Sequence, residues 1–313
     1  VKAAPVLLCQ ERLSASRRGY RAVVINAGIA NACNGPQGLV DARETAHLAA
    51  QAAGVEEEAV LVMSTGVIGR RLPMEKLRVG IPELVEAVSP YGGHDFVRAI
   101  MTTDTVPKEM ALRVSLEGRE VILAGVAKGA GMLHPNLATM LVILPTDAEI
   151  EPALLERVLR RAVECSFRCI TVDGDTSTND TVLLAASGTS GLTLREGSAS
   201  HEVFQAALEH LAAKLAQMLV RDAEGASKFV EVNVRGAYTP AEARKAAFAI
   251  ANSSLVKTAL YGEDPNWGRI MCALGYSGVT IEPERIAIDL GEVPVVRGGQ
   301  GVGTSEEEAA RSL

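Results

Sequence analysis

Aromatic side chains are scarce in this sequence: one Trp, five Tyr and five Phe, 4% of 313 residues. A core of that composition must rely on Ala, Val, Leu and Ile rather than on large rings. An excess of positive charge is missing too, with 31 Lys+Arg against 38 Asp+Glu and a net charge of −7. Nucleic acid is therefore not expected as a partner, because it calls for a basic patch with interleaved aromatics. No apolar run reaches the roughly 18 residues of a transmembrane helix, and no secretory pattern is read at the start. The five cysteines, Cys9, Cys33, Cys165, Cys169 and Cys272, are odd in number and scattered. Reduced thiols in a soluble, cytoplasmic protein are the expectation.

Hydrophobic residues make up 48% of the chain, enough for a substantial core, and the length suggests two domains at about 150 residues each. Short apolar runs alternate with helical patterns. Ala22–Ile25, Ala59–Met63, Val121–Ala124 and Met140–Leu144 read as buried strands. Asp41 and Glu44 form a capping-box signature before Ala46, Ala49, Ala50 and Ala53 at helical spacing, with Gly54 as the stop. Pro152 suits a first helical turn, followed by Leu155, Val158, Leu159 and Ala162. A third helix from about Ser200 carries Phe204, Leu208, Leu211, Leu215 and Leu219 on one face. Phe229 to Arg235 alternates as a half-buried strand should. The class is mixed α/β, with a domain boundary placed in the turn-rich patch 236–240: residues 1–236 and 237–313. Both ends read as cut. Ser305 and Glu308 make a capping box with only five residues after it, and so short an isolated helix is marginal.

The densest chemical signal is the run from Gly125 to Thr139, which holds Gly125, Gly129 and Gly131, then the turn His134-Pro135-Asn136, then Ala138-Thr139 at the entry of an apolar strand. It matches neither phosphate-cradling motif, G-x-x-x-x-G-K-[ST] or G-x-G-x-x-G. A threonine within a chain is a weak nucleophile. If the preceding peptide bond is cut, the freed α-amine titrates near 7.7–8 and serves as base for its own hydroxyl. Ala138 offers little bulk against that first attack. The residues alone leave this beside a plainer reading, a threonine capping a turn at a strand start.

The run Ala127 to Thr139 with Met140-Leu141 resembles the self-cleavage segment of the glutamate N-acetyltransferase/ornithine acetyltransferase family of arginine biosynthesis. Five further stretches resemble it in order: Ile25–Cys33, Ser64–Gly69, Met101–Thr105, Asp173–Thr181 and Asp264–Arg269. The resemblance implies a layered helix/sheet/sheet/helix catalytic domain with a smaller α/β C-terminal domain. It implies cleavage between Ala138 and Thr139, and Thr139 as the nucleophile that carries acetyl from N2-acetylornithine to glutamate. Thr65 and Gly66 match the oxyanion-stabilising positions. Thr105, Lys128, Thr139 and Glu224 match substrate-binding positions, with Lys128 suited to a carboxylate and Glu224 to an ammonium. Ala223 stands where glycine is common. No metal and no bound cofactor are implied, and acetyl-CoA would be a substrate where it is used. Two α and two β chains from one precursor are the implied assembly. Longer relatives add a C-terminal tail with an Asn and a hydroxyl residue in the pocket.

Other features carry less. Ser64 lacks the G-x-S-x-G setting of a serine nucleophile. The stretch Asp173–Asp180 fails as a calcium loop, with Thr178 where the sharp turn needs glycine, and reads as a polar turn. Cys165 and Cys169 have no nearby His or Cys to complete a zinc site. His134 has two readings, assistance in the autocatalytic step and fixing its loop by hydrogen bonds, of which the second is the expectation. Two other readings stay open: a self-processing amidohydrolase or aminopeptidase with water as acceptor, and an inactive amino-acid-binding homologue.

Overall fold

Two parallel strands, β1 (Ala22–Ile29) and β2 (Val60–Val67), form the first layer, in a computed structural model that describes residues 2–134, 140–311 and 313. The self-cleavage assignments to Ala138 and Thr139 lie outside the described residues. Helix α1 (Ala4–Ala15) precedes β1, and α2 (Gly35–Ala53) joins the two strands. Both helices pack on this layer, with α3 (Met74–Glu86) against α2. The buried face of α2 is Ala42, Ala46, Ala49 and Ala50, and side chains that small let the helix lie close to Val24, Val60 and Val62. This helix starts earlier than the capping box suggested. Pro36 sits in its first turn, where a missing N–H costs nothing, so Asp41 lies inside the helix and accepts a hydrogen bond from Gln37 Nε2 at 2.8 Å. It ends at Gly54 with φ +66°, as the sequence indicates.

The second layer is a four-stranded sheet in the order β3 (Lys108–Leu116), β4 (Arg119–Lys128), β5 (Leu141–Thr146), β7 (Thr181–Ala186). Its first two pairings are antiparallel and the last is parallel. Helix α4 (Gly93–Ala99) leads into β3, and a small parallel pair, β6 (Glu149–Ile150) with β8 (Thr193–Leu194), lies beside the sheet in sequence. Helices α5 (Pro152–Glu164) and α6 (Ala199–Arg221) cover it. Phe204, Leu208, Leu211, Leu215 and Leu219 of α6 are all wholly buried, so the apolar stripe read from the sequence is the stripe that meets the sheet. Glu151 caps α5 by accepting from Ala153 N (2.9 Å) and Leu154 N (3.2 Å).

Polar groups hold the two layers together. Asn179, just before β7, donates from Nδ2 to Ser64 O at 2.9 Å and to Ala30 O. Ser64 in turn donates to Asn26 Oδ1 at 2.6 Å. Helix–sheet–sheet–helix is thus the order of elements in this unit, which ends at Glu224.

The second compact unit begins at Gly225. It holds α7 (Pro240–Ala251), α8 (Ser254–Tyr261), α9 (Trp267–Tyr276), an antiparallel sheet of β9 (Ile288–Leu290), β10 (Val293–Arg297) and β11 (Gln300–Gly301), and α10 (Glu306–Ala310). Thr239, Ser253 and Ser305 cap α7, α8 and α10 through their side chains. The strand expected at 229–235 belongs to none of the sheets among the described residues. Alternating valines suit a pleated surface, but a strand needs a neighbour's backbone, and Val230 remains 43% exposed.

Truncating α6 tests how far the stripe carries the fold. Leu211→Ala is expected to cost about 2–5 kcal/mol, whereas Leu7→Ala, at an exposed position of α1, is expected to change stability by about 0.5 kcal/mol or less. Urea unfolding followed by far-UV circular dichroism measures both.

Candidate active site

The site is built where the ends of β2 and β4 come together. Lys128 closes β4 and is only 2% exposed. Its Nζ donates to Thr65 Oγ1 at 2.9 Å and to Thr102 Oγ1 at 2.8 Å. Thr65 is wholly buried. Because its hydroxyl oxygen accepts from an ammonium group, its own O–H is turned to donate elsewhere. Gly66 follows with φ +124°, and a Cβ there would lie 2.2 Å from the backbone carbon of Gly28. Only glycine fits so close a pairing of β1 and β2.

Behind Lys128 stands Asp104, none of whose side chain is exposed. It accepts from Lys108 Nζ at 2.7 Å, Gly129 N at 2.7 Å and Thr102 N at 3.1 Å, and lies 3.9 Å from Lys128 Nζ. Burial would push this carboxyl up, but the Lys108 ammonium and the two N–H groups outweigh it and hold it below the ordinary value. Lys108 also pairs with Asp222 at the end of α6. Burial pushes Lys128 the other way, below the usual lysine range, against the pull of Asp104 and Glu224.

A cavity of about 800 Å³ opens in front of these groups, within the size range of small-molecule sites. Its wall includes Gly28, Gly66, Thr102, Thr103, Lys128, Gly131, Met132, Asp173 and Glu224. Glu224 is seated by its N–H on Ala130 O at 2.8 Å. A Cβ on Gly131 would come 2.8 Å from Glu224 Oε1, so glycine leaves that carboxylate its place. The cavity thus offers one buried cation, two carboxylates and threonine hydroxyls. That donor set suits a small zwitterion.

Of the residues singled out by sequence, Gly66, Lys128 and Glu224 line this cavity, and Thr65 is hydrogen-bonded to Lys128 Nζ. Thr105 does not line it. Its N–H (3.0 Å) and hydroxyl both bond the Asp222 carboxylate on an exposed loop. His134 Nδ1 lies 3.3 Å from Thr171 Oγ1, and burial lowers its pKa against the nearby Asp173 and Asp175. Asp173 accepts from Met132 N (2.6 Å) and Leu133 N (3.0 Å), so its stretch is a hydrogen-bonded polar loop. Ser64 is buried against Asn26, away from the cavity wall. Asp104, Lys108 and Asp222 were not singled out. Asp104 lies inside the stretch Met101–Thr105, Lys108 three residues after it and Asp222 two residues before Glu224, but pairing in space is what gives each its meaning.

The Asp104 network carries a pH signature. A carboxyl held below its unfolded value stabilises the fold above that value, about 3.9, and the contribution disappears as pH falls through the folded one. Asp104→Asn leaves two lysines buried without their shared counter-charge and is expected to cost about 3–5 kcal/mol at neutral pH. The gap from the parent chain is expected to narrow in urea titrations carried below pH of about 4.

Known proteins are similar to this chain along its whole length. The model of the ArgJ family matches residues 1–313. The arginine biosynthesis bifunctional protein of Geobacter sulfurreducens is 51% identical over 308 residues, 98% of this chain and 78% of its own length. That of Symbiobacterium thermophilum is 49% identical over 314 residues, covering 100% and 78%. A crystal structure of the corresponding Bacillus halodurans protein aligns with TM-score 0.53 and 44% identity, over 54% of this chain and 80% of that one. With the family model matched from end to end and about half the residues shared with such relatives, this chain belongs to the ArgJ family.

Proposed function

We infer that this chain is an acetyltransferase of arginine biosynthesis that moves acetyl from N2-acetyl-L-ornithine to L-glutamate through an acetyl-Thr139 intermediate. The observation that carries the reading is the Lys128–Thr65 hydrogen bond beside Gly66, on a cavity with charges of both signs. In the first half-reaction the Thr139 hydroxyl attacks the acetyl carbonyl carbon and its proton passes to the α-amine freed by cleavage after Ala138. The C–N bond breaks and ornithine leaves as the amine, taking that proton. In the second, the amine of glutamate attacks the acetyl ester, and the threonine hydroxyl is restored. Negative charge gathers on the carbonyl oxygen in both. The Thr65 O–H and Gly66 N–H are the donors for it, and Lys128 acts through Thr65 by occupying the oxygen that would otherwise accept.

Glu224 is the partner for a substrate ammonium and Lys128 for the substrate carboxylate. Thr105 serves the pocket through Asp222, whose other partner is Lys108. Acetyl-CoA, where used, enters as an acetyl donor, and the chemistry calls for no metal or bound cofactor. Cleaved chains assembled as two α and two β subunits in the cytoplasm complete the reading.

Thr139→Ala is expected to give one uncut chain with no transfer, seen by intact mass and by acetylglutamate formation. Thr65→Val, a near-isosteric loss of one donor, is expected to lower kcat by about 10²–10³-fold with little change in KM. Release of acetate from N-acetylornithine without acetylation of glutamate would instead identify a hydrolase.

A further inference from the structure

Lys128 is the one cation among the described residues that line the cavity. An ammonium group has three N–H donors. Two are used, on Thr65 Oγ1 at 2.9 Å and on Thr102 Oγ1 at 2.8 Å. Asp104 Oδ2, at 3.9 Å, is beyond hydrogen-bond reach of the third. The two threonines on this nitrogen differ in setting. Thr65 is wholly buried, whereas Thr102 is exposed and belongs to the cavity wall. The Thr102 oxygen accepts from Lys128, so its O–H is turned away from the ammonium, and it donates to nothing among the described residues. Its backbone is pinned: Thr102 N donates to Asp104 at 3.1 Å, and the same carboxylate accepts from Gly129 N, next to Lys128, at 2.7 Å. A hydroxyl whose oxygen is engaged by a cation is a stronger donor than a free one. Glu224 and Asp173 line the same cavity and repel an anion, so the Lys128–Thr102 pair is where the negative end of a zwitterion is welcome.

Resting on the reading of the transfer above, we propose that Thr102 is a further substrate-binding residue, whose hydroxyl donates to the α-carboxylate of both amino-acid substrates beside the remaining Lys128 N–H. In an N2-acyl amino acid the carboxylate and the acyl group hang on adjacent atoms, Cα and its nitrogen. A site for it must therefore offer donors to the acyl oxygen and to the carboxylate side by side. One ammonium bonded to both Thr65 and Thr102 places two hydroxyls in that relation. Thr65 with Gly66 serves the acyl oxygen, and Thr102 with Lys128 serves the carboxylate. Glutamate presents its carboxylate at the same distance from the reacting nitrogen, so one arrangement fits both half-reactions. The contact is a hydrogen bond only, and its effect is to select amino acids over simple amines.

The test compares two acetyl donors on the cleaved enzyme, N2-acetylornithine and N-acetyl-1,4-diaminobutane, which is the same acylated amine without the carboxylate. Thr102→Val keeps the branched shape and removes the O–H. It is expected to lower kcat/KM for N2-acetylornithine and for glutamate by about 10–100-fold, with the loss carried by KM. Thr102→Ala is expected to do the same, and Thr102→Ser to restore most of the loss. Thr102→Val also leaves a Lys128 N–H without its acceptor, and the diamine arm separates that effect from substrate contact. On the diamine donor, with acetylation of the enzyme followed by intact mass, the Val variant is expected to match the parent. An equal loss on both donors, or a loss in kcat with KM unchanged, would assign Thr102 to holding Lys128 and overturn the proposal. Parent kinetics in Thr102→Val would overturn it too. A parent enzyme that moves no acetyl from N2-acetylornithine to glutamate overturns instead the reading on which the proposal rests.

Discussion

A carboxylate without water must have its charge answered by the protein, and Asp104 is answered from three directions. Lys108 supplies an ammonium, while Gly129 and Thr102 supply backbone N–H groups. Those same contacts fix the end of β4 and the loop after it, so the carboxylate sets where Lys128 stands. Lys128 then has two hydroxyls to meet, Thr65 and Thr102, and a more distant charge in Asp104. Through Lys108 the network reaches Asp222, and from there Thr105. Glu224 lies two residues beyond Asp222, tied by its N–H to Ala130. Removing Asp104 would therefore disturb the cation, the glycine loop and the acidic wall together.

The low aromatic content acquires a structural sense at the same place. Glycine and alanine stand where neighbouring elements come close: Gly28 against Gly66, the alanine face of α2 on its strands, Gly131 against Glu224. Close backbones leave little room for bulk, but they bring main-chain N–H groups near a cavity wall. Rigid strands then hold those groups better than loops would. The first layer contributes backbone and one hydroxyl, and the second contributes the cation.

Much of the architecture was legible because burial imposes a period. The stripe Phe204 to Leu219 and the run Met140–Leu144 report what they pack against, and α6 and β5 lie where those patterns put them. Local rules failed where two signals competed or a partner was needed. Asp41 and Glu44 resemble a cap, yet Pro36 begins the helix earlier. The valines from 230 to 234 have the right alternation and no sheet among the described residues. At the site, resemblance named Thr65, Gly66, Lys128 and Glu224, which do gather. It also named Thr105, which is turned to Asp222. Thr139 and Ala138 lie outside the described residues. Asp104, Lys108, Asp222 and Asp180 went unnamed because a charged residue looks alike in sequence whether it is solvated, paired or stranded.

Asp104 and Asp180 show how far that environment decides chemistry. Both are Asp, both are desolvated, and both act on Lys128. Asp104 has full hydrogen bonding to both oxygens and a lysine in contact, so its charged form is favoured. Asp180 has one backbone N–H and an oxygen with no partner among the described residues, so its neutral form is favoured. Opposed shifts in neighbouring carboxyls divide the work of a site between holding charge and holding a proton. Here the charge-holder stands behind the cation bonded to Thr65, and the neutral carboxyl stands on the Met140 N–H before β5. Exchanging their environments would reverse those tasks without changing a single residue type.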